Sequence, residues 1–376
     1  MSMIYLPTAD QMDETVDSLS KIAKALGSKV DVSSWENIRK AVKLGVAPEV
    51  LPIGTQLVAS HSKYGDMVFD VVAHNYFKSV DDENAPTMTL LAHDCIEQLQ
   101  FDNREAFYYA ENGLSAGTYH FTIAEKHSNW AAGTYQFTLI NHLPVGGQLC
   151  IESTNSLPGN KVISYASATT TTASESCVIT EGSGGTYIGD FGVGNLNYID
   201  RFYTGSNNYK ESAIRQFLNS TAVAGMVWTP QTKFDRPPTW ASNTPGFASG
   251  LDKEFLNAVG RVSVPCAANY RYEVPDSDIA IKEAYTVSDK FYLPSHNEIF
   301  GITSNSATDG SVIFPYYEGA VDSDRVKYRS GSSVAWWTRS ANRWYGDTIE
   351  YVDNMGRRNV RNAYTAYGAA IACTIV

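Results

Sequence analysis

Between Asn342 and Tyr367 the chain gathers tyrosine, tryptophan, arginine, asparagine and aspartate, and it contains no lysine there. These are the side chains of recognition surfaces: rigid aromatics give large amphipathic contact area at low rotamer cost, and the polar groups adapt their hydrogen bonding. The candidate contact residues are Arg343, Trp344, Tyr345, Asp347, Tyr351, Asp353, Asn354, Arg357, Arg358, Asn359, Arg361, Asn362, Tyr364, Thr365 and Tyr367. An irregular β region with a solvated aromatic surface has the same composition.

Other reactive residues lack spacings that support chemistry. The seven histidines fall in no metal-ligand pattern, and neither H-e-x-x-H nor G-x-S-x-G occurs. His93-Asp94-Cys95 suggests a catalytic pair, yet neighbours on a strand point to opposite faces. Cys95, Cys150, Cys177, Cys266 and Cys373 are odd in number and widely spaced, which argues against a disulfide framework and a structural zinc site. The glycine-rich run from Gly182 to Gly189 lacks the lysine and following helix of a phosphate-binding loop and reads as a flexible connection. No run of acidic and amide residues has calcium-loop order, so no metal or other cofactor is expected.

The elements that must position the candidate surface are legible as patterns. Ala335-Trp336-Trp337 precedes it as a buried anchor, and Gly368 to Val376 follows with the small and β-branched character of a packed terminal strand. Gly346, Gly356 and Gly368 are expected to permit tight turns. Upstream, residues 208–219 place Tyr209, Ala213, Ile214, Phe217 and Leu218 on one helix face, with Asn208 and Glu211 as a capping pair. Residues 116–123 are echoed by 132–139, where alternating Tyr, Phe and Ile or Leu mark two half-buried strands. At the start, residues 9–26 have helical apolar spacing, and residues 33–42 predict a second short helix capped by Ser34.

Trp336-Trp337-Thr338-Arg339-Ser340, a polar hairpin turning at Gly356, and the ending Gly368-Ala369-Ala370-Ile371-Ala372-Cys373-Thr374-Ile375 resemble the C-terminal variable region of diversity-generating retroelement target proteins. Residues 208–219 and Asp289 to Gly301 are similar to a domain family of undetermined function, found in gut bacteria and their phages, that shares the formylglycine-generating-enzyme version of the lectin fold. The resemblance implies an α+β protein: a C-type-lectin-like, formylglycine-generating-enzyme-type C-terminal domain, with an inserted small β subdomain and short N-terminal helices. Its implied segments are an N-terminal helical segment at 1–50, the first part of the lectin-like body at 51–113, the insert at 114–194, and the lectin-like domain at 195–376 with a variable region of about 342–367.

Such systems alter template adenines, so AAC or AAT codons become many others but never a stop. Every candidate contact residue except Trp344 is reachable in this way, as is Val360, whereas Trp344, Glu350 and Met355 are not. The resemblance therefore implies a diversified ligand-binding surface, used by a phage for receptor binding, with Trp344, Tyr345, Tyr351, Arg357, Arg358, Asn359, Arg361, Tyr364 and Tyr367 on one exposed face. Its ligand is an unidentified protein or glycan on a host or target surface. A structural virion or surface decoration protein is the alternative. Formylglycine-type oxidation is disfavoured, because that chemistry needs a closely spaced cysteine pair and the C-terminal half has only Cys266 and Cys373.

Composition bounds the partners. A net charge of -11 argues against general affinity for nucleic acid or anionic membrane, although Arg357, Arg358 and Arg361 form a local basic patch. There is no apolar run of roughly 18 residues and no basic-then-apolar leader, so the expected location is a phage virion after cytoplasmic synthesis, or a bacterial cytoplasm or surface by a non-Sec route. The apolar stripe at 9–26 is expected to pack on the body or to mediate self-association or virion docking.

Overall fold

The computed structural model describes residues 30–124, 130–153, 157–191, 204–267, 284–301, 309–342 and 346–376. The chain is a mixed α+β protein in which strands predominate and helices are short. The helix expected over 9–26 lies outside the described residues. Helix α1 (Trp35–Lys43) begins at Ser34, whose side chain accepts the Asn37 N–H and satisfies one of the unpaired donors of the first turn. Its buried stripe of Trp35, Ile38 and Val42 joins the main core, with the Trp35 ring 4.5 Å from that of Phe255.

After a single turn, α2 (Ala47–Val50), strands β1 (Gln56–His61), β2 (Gly65–His74) and β3 (Met88–Ala92) form an antiparallel meander. The strand ends at Ala92, so His93 and Asp94 occupy a bend and not the expected strand. His93 Nδ1 contacts Asp70 at 2.9 Å, and Cys95 is buried. Strand β4 (Gln98–Gln100) then leaves the meander for a different sheet.

A second core follows. Its strands are β5 (Tyr108–Ala110), β6 (Gly117–Ile123), β7 (Gly133–Leu139), β8 (Gly147–Ile151), β9 (Lys161–Tyr165), β10 (Glu175–Val178), β11 (Thr180–Glu181) and β12 (Thr186–Phe191). The two echoed runs pair with each other as β6 and β7 over the whole register from Gly117↔Leu139 to Ile123↔Gly133. Tyr119, Phe121, Ile123, Tyr135, Phe137 and Leu139 all point inward, as a period of two requires. One sheet runs β10-β9-β8-β5 and the other β11-β7-β6-β12, enclosing a cluster that includes Phe107, Trp130, Leu149, Val162 and Ile179. The glycine-rich run is only partly the expected loop: from Thr186 it becomes β12, which lies parallel to β6. Gly185 makes this approach possible, since its φ is +74° and a Cβ there would lie 1.8 Å from the Thr118 carbonyl oxygen.

The remaining elements return to the main core: α3 (Ala213–Asn219), α4 (Lys253–Ala258), β13 (Val262–Cys266), β14 (Tyr285–Asp289), β15 (Phe291–Tyr292), α5 (His296–Phe300), β16 (Lys327–Arg329), β17 (Ser332–Val334), β18 (Trp336–Ala341), β19 (Thr348–Val352), β20 (Arg358–Asn362), β21 (Ala366–Gly368) and β22 (Ala372–Ile375). The helix expected from residue 208 starts later, because Ser212 and not Asn208 is its cap: the Ser212 hydroxyl accepts the Arg215 N–H. Asn208 instead caps a preceding turn by accepting the Lys210 N–H at 3.2 Å. The apolar face is nonetheless where the spacing puts it, with Tyr209, Ala213, Ile214, Phe217 and Leu218 all buried.

Two five-stranded sheets organise this body, ordered β1-β2-β3-β22-β15 and β20-β19-β18-β21-β4. Each combines strands from before and after the second core in sequence, so a single core holds the two halves together. Strands β3 and β22 are buried at every position, which explains their unbroken apolar and small-residue text. Among the described residues, no helix is long and apolar enough to cross a membrane.

Candidate functional site

The candidate surface is built on the hairpin of β19 and β20, which pair from Thr348↔Asn362 to Val352↔Arg358. Its turn is organised by Asp353, whose carboxylate accepts the N–H groups of Met355 and Arg357, both at 2.9 Å, and the Arg357 Nε at 2.9 Å. Burial pushes the Asp353 carboxyl up, but these hydrogen bonds and the Arg357 charge outweigh it and leave the pKa below its ordinary value. Gly356 closes the turn at φ +80°, where a Cβ would lie 1.7 Å from the Asp322 carbonyl oxygen.

Alternation divides the hairpin into two faces. On the inner face, Glu350 is fully buried and receives Arg358 Nε at 3.1 Å and Nη2 at 2.7 Å. His296 Nδ1, on α5, lies 2.8 Å from the other side of that carboxylate. Asp347 is also turned inward, accepting Asn362 Nδ2 at 2.9 Å and a short hydrogen bond from the Thr204 hydroxyl.

The opposite face carries an aromatic layer. The Tyr367 ring lies 4.8 Å from Trp337 and 4.5 Å from Tyr351, and Trp337 lies 6.0 Å from Tyr351. Trp337 is held from beneath by its Nε1–H bond to the Leu99 carbonyl at 2.9 Å. Burial, then a hydrogen bond with Tyr367, pushes the Tyr351 hydroxyl pKa up. Asn359 and Arg361 extend this face into solvent on the edge strand β20.

The expectation of one shared exposed face is therefore corrected. Tyr351, Asp347 and Asp353 are buried, and Arg358 belongs to the inner face with Glu350. Exposed are Asn354, Arg357, Asn359 and Arg361, together with Met355 and Val360; Asn362, Tyr364, Thr365 and Tyr367 are half-buried. Arg343, Trp344 and Tyr345 lie outside the described residues. The physical reason is the strand period: a run of polar residues on a two-sided hairpin must send half of them inward, where ion pairs satisfy them. Gly368 is also reassigned, from a turn to strand β21, where a Cβ would lie 2.7 Å from Cys95 Sγ.

Below the hairpin is a buried polar network absent from the candidate set. Arg339 is enclosed, donating to Glu298 Oε2 at 2.7 Å, to Glu298 Oε1 by a short hydrogen bond, and to the carbonyls of Leu293 and Pro265, each at 2.8 Å. Glu298 is fixed in turn by a capping box with Ser295. Burial pushes the Glu298 carboxyl up and the Arg339 charge only partly offsets this. These residues lie in the Trp336–Ser340 run and in the segment from Asp289 to Gly301, but nothing in either announces that they pair.

Two of the hollows among the described residues open near charged side chains. One of about 470 Å³ is lined by Lys63, Tyr64, Cys95, Glu97 and Arg329, and Lys63 pairs with Glu97 within it at 2.8 Å. The other, of about 350 Å³, lies between the two cores and touches Arg104, Tyr165 and Arg236. Arg104 connects it to the candidate surface, its guanidinium lying 4.4 Å from the centroid of the Tyr364 ring. Among the described residues no cluster of three or more His, Cys, Asp or Glu side chains is arranged to hold a metal.

A body with two five-stranded sheets sharing one core, one of them carrying the β19–β20 hairpin, defines a mixed α+β fold. The model of a family described as a domain of unknown function (DUF6273) matches residues 186–376, half of the chain, and the protein belongs to that family. No curated protein and no solved structure matches the chain.

Proposed function

We propose that this protein is a ligand-binding protein with a C-type-lectin-like, formylglycine-generating-enzyme-type body, diversified at the β19–β20 hairpin by a retroelement and used by a phage to attach to host surfaces. The carrying observation is how the hairpin is divided. Glu350, which adenine alteration of an asparagine codon cannot produce, is the buried anchor of the inner face. Asn354, Arg357, Asn359, Val360 and Arg361, all reachable in that way, are exposed. Met355, exposed at the tip but not reachable, and Asp347, Tyr351 and Asp353, reachable but buried, depart from this pattern. A surface of this kind varies while Trp336, Trp337, Arg339 and Glu298 keep the scaffold constant.

Binding is favoured over oxidation by the state of the thiols. Cys266 and Cys373 are both fully buried, and burial pushes the Cys266 pKa up to about 12 and that of Cys373 higher still, far from a metal-binding or redox-active thiolate. The ligand is a protein or glycan on the target surface, and the segment at 9–26 provides docking to a virion or self-association.

The test is the DNA around the gene. A near-copy of the segment encoding Asn342–Tyr367, differing at adenines and lying beside a reverse transcriptase gene, is the expected finding. Absence of the copy removes diversification and leaves a decoration protein. Particles carrying alanine at Asn359 and Arg361 are expected to lose adsorption to their host, and unchanged adsorption refutes the attachment role.

A further inference from the structure

We propose that the cleft between the two cores is a second, fixed binding site, one that takes a small hydroxylated anion: a sugar acid or a sugar phosphate. It rests on the cleft alone and stands or falls independently of hairpin diversification.

Arg236 is 5% exposed and reaches from the main body to Gln148 and Tyr165 of the second core. Its Nη1 donates to Gln148 Oε1 at 2.8 Å and to the Ser167 carbonyl at 2.9 Å, and its Nη2 makes a short bond to the Thr170 carbonyl. The guanidinium lies 3.3 Å from the centroid of the Tyr165 ring. All of these partners are neutral. Among the described residues no carboxylate forms an ion pair with Arg236. The adjacent Asp235 spends its carboxylate on the N–H groups of Gln231 and Thr232 and on the Thr232 hydroxyl. Glu152, at the rim, pairs with Lys161 at 3.5 Å. A cation removed from water without a counter-charge is costly, and burial accordingly pulls the Arg236 pKa down. An anion entering the cleft relieves that cost.

The walls specify more than charge. Arg104 adds a second guanidinium at the same opening, Ser242 and Thr171 offer hydroxyl groups, Asn103 and Thr239 are held by Pro237 and Gln100, and Ile151, Ile163 and Pro238 provide apolar surface. A cleft of about 350 Å³ is at the small end of ligand pockets. Cations for one anionic group, polar rim groups for hydroxyls and aliphatic walls for a ring's carbon face describe a monosaccharide-sized acid. The stack of Arg104 on Tyr364 places this opening beside the hairpin, so a glycan held by its acidic residue here extends across Tyr364.

The experiment is calorimetric titration of the full chain at near-physiological salt with glucuronate, glucose 6-phosphate and glucose. The expected result is saturable, mutually competitive binding of at least one anion, with neutral glucose roughly tenfold weaker or worse, the usual cost of losing a charge-assisted hydrogen bond. Stronger binding of glucuronate identifies a carboxylate ligand and stronger binding of glucose 6-phosphate a phosphate ligand. Because Arg236→Gln risks unfolding a chain that this side chain holds together, the test variants are Thr171→Trp, which obstructs the exposed rim, and Arg104→Gln. Each is expected to lose binding by roughly tenfold or more with an unchanged thermal midpoint. No saturable binding of either anion, equal binding of glucose, or binding unaffected by both variants overturns the proposal.

Discussion

Arg339 on β18 and Glu298 on α5 form a bidentate ion pair in which neither side chain is exposed, and this pair joins the strand beneath the hairpin to the helix beside it. Its geometry satisfies the carboxylate twice over, while Arg339 Nε and Nη1 also donate to backbone carbonyls and Nη2 lies 3.8 Å from the buried Asp309 carboxylate. Arg339→Met alone is expected to destabilise by about 3–5 kcal/mol, because it strands a buried carboxylate. The double replacement Arg339→Met with Glu298→Leu is expected to cost less than that single change. Urea denaturation of the two single variants and the double closes the cycle, and additive losses would refute the coupling.

The aromatic layer and the rim respond differently to truncation. Trp337→Ala is expected to cost about 3–5 kcal/mol, and Tyr351→Ala about 2–3 kcal/mol, since both rings are buried against Tyr367. Alanine at Asn359 and Arg361, which are exposed on the edge strand, is expected to stay within about 0.5 kcal/mol of the parent. Thermal melts of the four variants decide this, and a large loss at Asn359 or Arg361 would make the rim structural.

Asp353 gives the hairpin turn an acid limit. Its folded pKa lies below the ordinary 3.8, so its hydrogen bonds stabilise the turn fully above that value. That contribution is lost as pH falls through the lower folded pKa. Titration of the Met355 and Arg357 amide resonances is expected to report a midpoint below 3.8, and a midpoint at or above it contradicts the assignment.

Thiol accessibility follows burial. Cys95, Cys150, Cys266 and Cys373 are buried, and Cys177 is half-buried with a pKa raised to about 11. Alkylation of the native protein followed by peptide mass analysis is expected to label Cys177 first. Earlier labelling of Cys266 or Cys373 would reopen the case for a reactive pair.

Much of the body was legible because its signals are local. An unbroken apolar run announced β22, a period of two announced β6 and β7, and a serine before an amphipathic run announced α1. Asn208 misled because a cap and a turn use the same side-chain chemistry, and only the packing of Ala213 and Ile214 selects Ser212. At the candidate site the alternation between Arg358 and Asn359 was readable, but its direction was not. That direction is set by His296 and Glu350, which are remote in sequence and meet only in the folded state. The cleft was invisible for the same reason, since Arg236 and Tyr165 come from different cores.

Strand β22 enters the first sheet between β3 and β15, yet in the chain it follows the hairpin. Synthesis proceeds from the N-terminus, so the middle of that sheet stays vacant until the hairpin has already been translated. A reading frame lost anywhere in the hairpin thus deletes the keystone of a sheet that the hairpin does not belong to. The first sheet is in effect closed by a strand made after the hairpin, and chains interrupted in the hairpin are left open to proteolysis.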